Sequence, residues 1–158
     1  MGVADEDLRH GAPAVRPLRH RRAQARVAAD VDLVFAGKDP DLATAVHSTA
    51  PACGVAGRVL LPGYVPDATV AALYRRCRGH VFASLYEGFG LPPLEAMACG
   101  TPIVTSRLSS LPEVVGDAAL LVDPYSEEEL AAALERVLTE PELRARLGRE
   151  TDARVKQD

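Results

Sequence analysis

Tryptophan is absent from this 158-residue chain, and aromatic residues make up only 4% of it. The core must therefore be packed from aliphatic side chains and alanine. Of 18 basic residues only two, Lys38 and Lys156, are lysine. The net charge of -4 gives no global positive field, which excludes nucleic acid and an anionic membrane surface as partners held by bulk charge. The three cysteines, Cys53, Cys77 and Cys99, form no CxxC and no Cys/His pair suited to zinc. Their odd number, without a signal peptide, implies reduced thiols and a cytoplasmic chain. Cys77 and Cys99 lie in small, apolar, helical surroundings and are expected to pack in the core. His10, His20, His47 and His80 show no metal or catalytic spacing, and His80 is expected to be structural. No apolar run approaches the ~18 residues of a membrane-spanning helix. What remains is 47% hydrophobic and 25% charged, enough for one domain with a core.

Residues 1–26 read as a poorly ordered leader: few large apolar residues, two prolines, and a basic cluster at Arg19, Arg21 and Arg22 that serves as a solvated face. Residues 27–158 form the domain. Five short apolar runs, "VDLVFAG" (31–37), "RVLLPG" (58–63), "HVFAS" (80–84), "PIVTS" (102–106) and "ALLV" (119–122), read as buried strands. Helical patterns separate most of them. Asp67 can cap a helix carrying Val70, Leu73, Tyr74 and Cys77 on one face. Ser126 and Glu129 form a capping box ahead of a stripe of Leu130, Leu134, Val137 and Leu138. Pro141 opens a last helix that carries Leu143 and Leu147 and stops at Gly148. Short buried strands alternating with helices predict an α/β fold, a Rossmann-like parallel sheet with helices on both faces.

Ligands of such sheets bind beyond the carboxyl ends of the strands. The segment "SLYEGFGLPPLEAMACGTP" (84–102) directly follows the third strand. Gly88 and Gly90 tolerate positive φ and let a ligand approach the backbone. Pro92 and Pro93 suit the first turn of a helix that runs to Gly100. That helix start favours phosphate. Glu87 and Glu95 stand on either side, and a carboxylate can accept from two hydroxyls at once. The local chemistry suits a ligand with a phosphate in the middle and polyols at both ends. Spacing alone does not single out this pair. Glu127/Glu135 and Glu142/Glu150 share it and read as solvated helix faces. In a purely structural reading, Glu87 is a loop residue and Glu95 a first-turn charge.

The run "SLYEGFGLPPLEAMACGTPIVTS" resembles the donor-binding signature of the GT-B glycosyltransferases of family 4 type, the glycosyl transferases group 1. The likeness continues through "LPEVVGDAALLVDP" (111–124), and "VDLVFAGK" and "VLLPGYVPDATVAALYRRC" fit the nucleotide-binding half. It covers roughly residues 27–150, with about twenty consecutive positions fitting in the signature. The resemblance implies the C-terminal, donor-binding half of a GT-B fold and a retaining transfer of mannosyl or glucosyl type from a UDP-, GDP- or ADP-sugar. It makes Glu87 the candidate catalytic residue, holding hydroxyls of the transferred sugar. It lays Gly88, Phe89, Gly90 and Leu91 along the sugar and diphosphate, puts Glu95 on the ribose hydroxyls, and places Tyr64 and Val65, after Gly63, near the base. No metal and no other cofactor is implied.

Two parts of the family pattern are missing. Nothing in the chain forms the acceptor-binding half, and no "GR…KG" segment precedes Val31. The first strand of the donor half is thus expected to be lacking. Without it, "VDLVFA" and "HVFAS" pair with each other or something else fills the gap. The expectation is a truncated product or fragment, marginal in stability and inactive alone, working with a separate acceptor-binding domain or chain. In a complete enzyme it would be cytoplasmic or peripheral to a membrane. The alternative is a non-catalytic module that binds a nucleotide sugar or complements a partner. A GT-B relative of another reaction class, such as a 2-epimerase or phosphorylase, fits the signature less well. The "DVD" at 30–32 imitates a metal-binding DxD but precedes its strand, and Lys38 reads as an exposed loop residue. Arg75, Arg76 and Arg78 read as a polar face, and Glu113 as a helix-end acid.

Overall fold

A computed structural model describes residues 31–37 and 40–155 of the chain. The leader, Asp30 and Lys38 lie outside the described residues. All five sequence-predicted strands form: β1 (Leu33–Ala36), β2 (Val59–Gly63), β3 (His80–Phe82), β4 (Ile103–Ser106) and β5 (Ala119–Val122). Among the described residues four α-helices join them, α1 (Pro40–Ala52), α2 (Asp67–Arg76), α3 (Leu91–Ala98) and α4 (Leu111–Val115), and two follow β5, α5 (Glu127–Thr139) and α6 (Pro141–Val155).

Every strand pairing is parallel, which requires the helical crossovers between strands. β4 lies at the centre of a three-stranded sheet, β3-β4-β5, and is buried along its whole length. Its side chains alternate with the strand period of two. Val104 joins Val122, Ala133, Val137, Leu143 and Leu147 in one core, under α5 and α6. Ile103 joins Ala96, Met97, Val115 and Ala118 in a second core, under α3 and α4. Thus one strand explains helices on both faces. As the composition requires, both buried cores are aliphatic.

The remaining strands form a separate sheet, β1-β2. Neither alternative expected for β1 and β3 is met, since among the described residues they do not pair and no other strand joins them. In consequence β1 is not the buried strand its apolar run predicts. Leu33 is 49% and Val34 37% exposed. The apolar content is that of a central strand, but its packing partners are missing among the described residues.

Three local expectations change. α2 begins at Asp67, with Pro66 as its N-cap and the Pro66 carbonyl accepting from Thr69 and Val70, so Asp67 supplies first-turn charge rather than the cap. Cys77 is exposed at the end of α2, its thiol donating to the Tyr74 carbonyl at 3.3 Å, instead of entering the core. α6 does not stop at Gly148 but continues a further seven residues to Val155. The Ser126 cap forms, its hydroxyl accepting from Glu129 N–H at 3.2 Å. The reciprocal half of the box is diverted. Glu129 accepts from the Asp123 N–H at 3.0 Å and from Arg107 at 2.8 Å, tying the β5–α5 turn to the loop after β4.

Candidate functional site

The chain leaves β3 through a loop and enters α3 at Leu91. Gly90 is the N-cap, at φ +83°, a left-handed conformation that a side chain rarely adopts. It is also buried, and a Cβ there would lie 2.8 Å from Leu111 Cδ2. Gly90 is thus required both by its backbone and by the close approach of α4. Gly88 differs. Nothing lies within 4 Å of where its Cβ would stand, so its missing side chain leaves room on the outer side of the loop.

Pro92 and Pro93 at the helix start have no N–H, so the free donors do not come from the helix's first turn as a whole. They come from the loop. The N–H groups of Gly88, Phe89, Gly90 and Leu91 have no hydrogen-bond acceptor among the described residues, while Leu94 N–H returns to the Gly90 carbonyl at 3.4 Å. Four consecutive N–H groups without an acceptor, next to a helix N-terminus, are a donor set of the kind that suits an anion. Phe89 and Leu91 are 60% and 61% exposed beside it.

Glu87 is half-buried, and its backbone is fixed from across the loop. Ser109 Oγ donates to the Glu87 carbonyl at 2.7 Å and lies 3.3 Å from its N–H, and Ser110 Oγ reaches the same carbonyl at 3.2 Å. Ser109 adopts φ +58°, the one described non-glycine residue with positive φ. Such strain persists where surrounding structure enforces it. The serine pair was missed in the sequence. Its only signal is the hydroxyl doublet "SS" between β4 and α4, 22 residues away from Glu87.

Glu95 is exposed on α3, one turn after the loop. On α2 stands Tyr74, whose phenol feels the Glu95 charge. Burial first, and then the Glu95 charge, push that phenol up to about 12. Tyr64 and Val65 follow the carboxyl end of β2, in the other sheet, with Tyr64 65% exposed and Val65 half-buried. Gly63 at φ +69° turns the chain there. The loop of residues 87–91 and Glu95 thus lie on one contiguous segment, while Tyr64 and Val65 come from a separate strand. Asp32, of the DxD imitation, lies 3.9 Å from the Arg58 guanidinium. Glu113 sits in the first turn of α4, its carbonyl accepting from Arg154 at 2.7 Å.

The model of the family described as glycosyl transferases group 1 matches residues 19–154. The chain belongs to that family. It is 41% identical over 138 residues to an MMP alpha-(1->4)-mannosyltransferase of Mycolicibacterium hassiacum, a match covering 85% of this chain and 33% of that enzyme. Among solved structures, Anabaena Alr3699/HepE in complex with UDP and glucose superposes with a TM-score of 0.75 at 23% identity, over 94% of this chain and 42% of that one. The C-terminal domain of a group 1 glycosyltransferase (LpcC) of Francisella tularensis gives a TM-score of 0.69 at 19% identity, covering 92% and 95%. These likenesses show the fold, and it is that of the C-terminal half of a GT-B glycosyltransferase. The chain spans about a third or less of the length of the curated relatives it matches. No described helix is long and apolar enough to cross a membrane.

Proposed function

We propose that this chain is the donor-binding half of a retaining glycosyltransferase of family 4 type, taking a nucleoside diphosphate sugar for mannosyl or glucosyl transfer. The observation that carries the reading is the run of four free N–H groups, Gly88 to Leu91, lying between Glu87 and Glu95. The amides suit a diphosphate, which needs donors and no metal where the backbone already supplies them. The two carboxylates suit the polyols at its ends: Glu87 the transferred sugar, as the catalytic-site carboxylate, and Glu95 the ribose. Tyr64 and Val65 flank the base. The mannosyltransferase relative and the neighbour solved with UDP and glucose support the donor class.

A second reading draws on the break between β1 and β3. In it the chain is a nucleotide-sugar-binding module that acts with a separate acceptor-binding domain or chain. The two readings share the donor site and differ in whether this chain transfers sugar by itself.

Calorimetric titration of the folded chain with UDP, GDP and ADP tests the shared part. One of the three is expected to bind, and Glu95→Ala is expected to cost about 1.5–3 kcal/mol of that affinity, the scale of a hydrogen bond to a charged group. Absence of binding to all three by a folded sample would sink the donor-site reading.

A further inference from the structure

Glu87 presents its carboxylate from a loop, with neither helix nor strand to hold its main chain. A site group on a loop is placed well only when its neighbours fix it. The support here comes from the turn at residues 109–111.

That turn grips the loop at both ends. The Ser109 hydroxyl donates to the Glu87 carbonyl at 2.7 Å and accepts from the Glu87 N–H at 3.3 Å. A hydroxyl has one donor and two acceptor lone pairs, so one side chain engages both main-chain groups of Glu87, as a paired strand would. Ser110 Oγ donates to the same carbonyl at 3.2 Å. Neither main-chain group of Glu87 has a backbone partner among the described residues. The other end is held separately. Leu111 is fully buried, and its Cδ2 lies 2.8 Å from where a Cβ on Gly90 would stand.

The backbone of Ser109 is in the left-handed region, at φ +58°. Glycine would take that conformation at lower cost, but it has no hydroxyl. Ser109 is also exposed, so its side chain fills no core space. A strained residue whose side chain serves only a two-point grip on a site residue points to function. We infer that Ser109 is a positioning residue for Glu87: its hydroxyl holds the Glu87 main chain where the carboxylate can meet the transferred sugar. The inference rests on the sugar-holding reading of Glu87 given above. Because Leu111 holds Gly90 independently, losing the hydroxyl should disturb the sugar contact more than the diphosphate contact.

The test takes whichever of UDP, GDP and ADP binds the folded chain and compares it, by calorimetry, with its mannose and glucose derivatives. The readout is the ratio of nucleotide-sugar affinity to nucleotide affinity. Glu87→Ala should lower that ratio about tenfold or more, the scale of a hydrogen bond to a charged group. Ser109→Gly should lower it about three- to tenfold. Its urea midpoint should stay near that of the wild type, because relief of the left-handed strain offsets the lost hydrogen bonds. Ser109→Ala keeps the strain, and should lower both the ratio and the midpoint. In a Glu87→Ala background Ser109→Gly should add nothing further. If no nucleotide binds, the donor-site reading fails and the inference with it. If a nucleotide binds but neither sugar form does, or if Glu87→Ala leaves the ratio unchanged, the sugar-holding reading of Glu87 fails and the inference with it. If Glu87→Ala lowers the ratio and Ser109→Gly does not, the positioning role alone is overturned. A purely structural Ser109 would lower the midpoint in Ser109→Gly and weaken both ligands alike. Amide hydrogen exchange gives a check that needs no variant. In the unliganded chain the Glu87 N–H should exchange more slowly than those of Gly88 to Leu91, and equal rates would remove the contact on which the inference stands.

Discussion

Replacing Gly148 with alanine should destabilise this protein, although helix propensity alone gives the opposite sign. Gly148 lies inside α6, where Gly→Ala ordinarily gains about 1 kcal/mol. Here the added Cβ would stand 2.8 Å from the carbonyl oxygen of Gly100, the residue that ends the α3 region at φ +69°. The contact is with backbone, so no rotamer change relieves it. α6 cannot retreat without disturbing Leu147 and Thr151, both fully buried, or Leu143, 7% exposed. Overpacking of this kind costs about 1–3 kcal/mol. A Cβ 2.8 Å from a backbone oxygen belongs in the upper half of that range, about 2–3 kcal/mol; less the propensity gain of about 1 kcal/mol, the net loss is about 1–2 kcal/mol, or about 2–8 °C in Tm for a chain of this size. Thermal unfolding followed by circular dichroism reads it, with the exposed neighbour substitution Arg149→Ala as the near-neutral control. A Tm at or above that of the wild type would refute the reasoning, because it would mean that α3 and α6 are not held at backbone contact.

His80 has a buried Nε2 with no hydrogen-bond partner among the described residues, and burial holds it down to about 4. Its unfolded-state value is higher, so the unfolded chain takes up a proton first. Stability is therefore full above about pH 6.5 and falls as pH drops toward 4, by up to about 3 kcal/mol. Urea midpoints across that window should show the slope, and His80→Leu should flatten it. Gly90→Ala meets both a left-handed φ of +83° and Leu111 Cδ2 at 2.8 Å. It should cost about 2–4 kcal/mol in urea unfolding and lower nucleotide affinity in calorimetry. Arg154 donates to the carbonyls of Val114 and Glu113 at 2.9 and 2.7 Å, its guanidinium lying in space that Gly116 leaves free. Arg154→Ala should lower the urea-derived stability by about 1–3 kcal/mol, whereas an unchanged midpoint would show that those carbonyls find water equally well.

The strands and the loop were legible because their signals are local. A short apolar run, in four of the five cases ending in glycine or serine, suffices to place β1 to β5, and "EGFGLPPLE" contains its own turn, helix start and acids. What escaped depends on residues far apart in sequence. Gly148 looks like a helix stop until Gly100 is seen beside it. Asp67 looks like a cap, but Pro66 before it already has the extended conformation of one. Ser109 and Ser110 fix the Glu87 carbonyl from across 22 and 23 residues. None of these leaves a periodic trace.

The break in the sheet has the same origin but a larger consequence. The observed orders β2-β1 and β3-β4-β5 match the two flanks of a doubly wound sheet of order 3-2-1-4-5-6, with position 1 open among the described residues. β1 has the apolar side chains of a strand with neighbours on both edges, yet leaves Leu33 and Val34 exposed. β3 carries His80, whose buried Nε2 has no hydrogen-bond partner among the described residues. A strand's own pattern records the burial it is suited to, not whether the adjoining edge is supplied. In that sheet order the ligand crevice opens where the strand order reverses, between positions 1 and 4. The loop of Glu87 to Leu91 issues from β3, which holds position 4. The proposed donor site and the edge left unpaired among the described residues therefore meet at the same strand, β3.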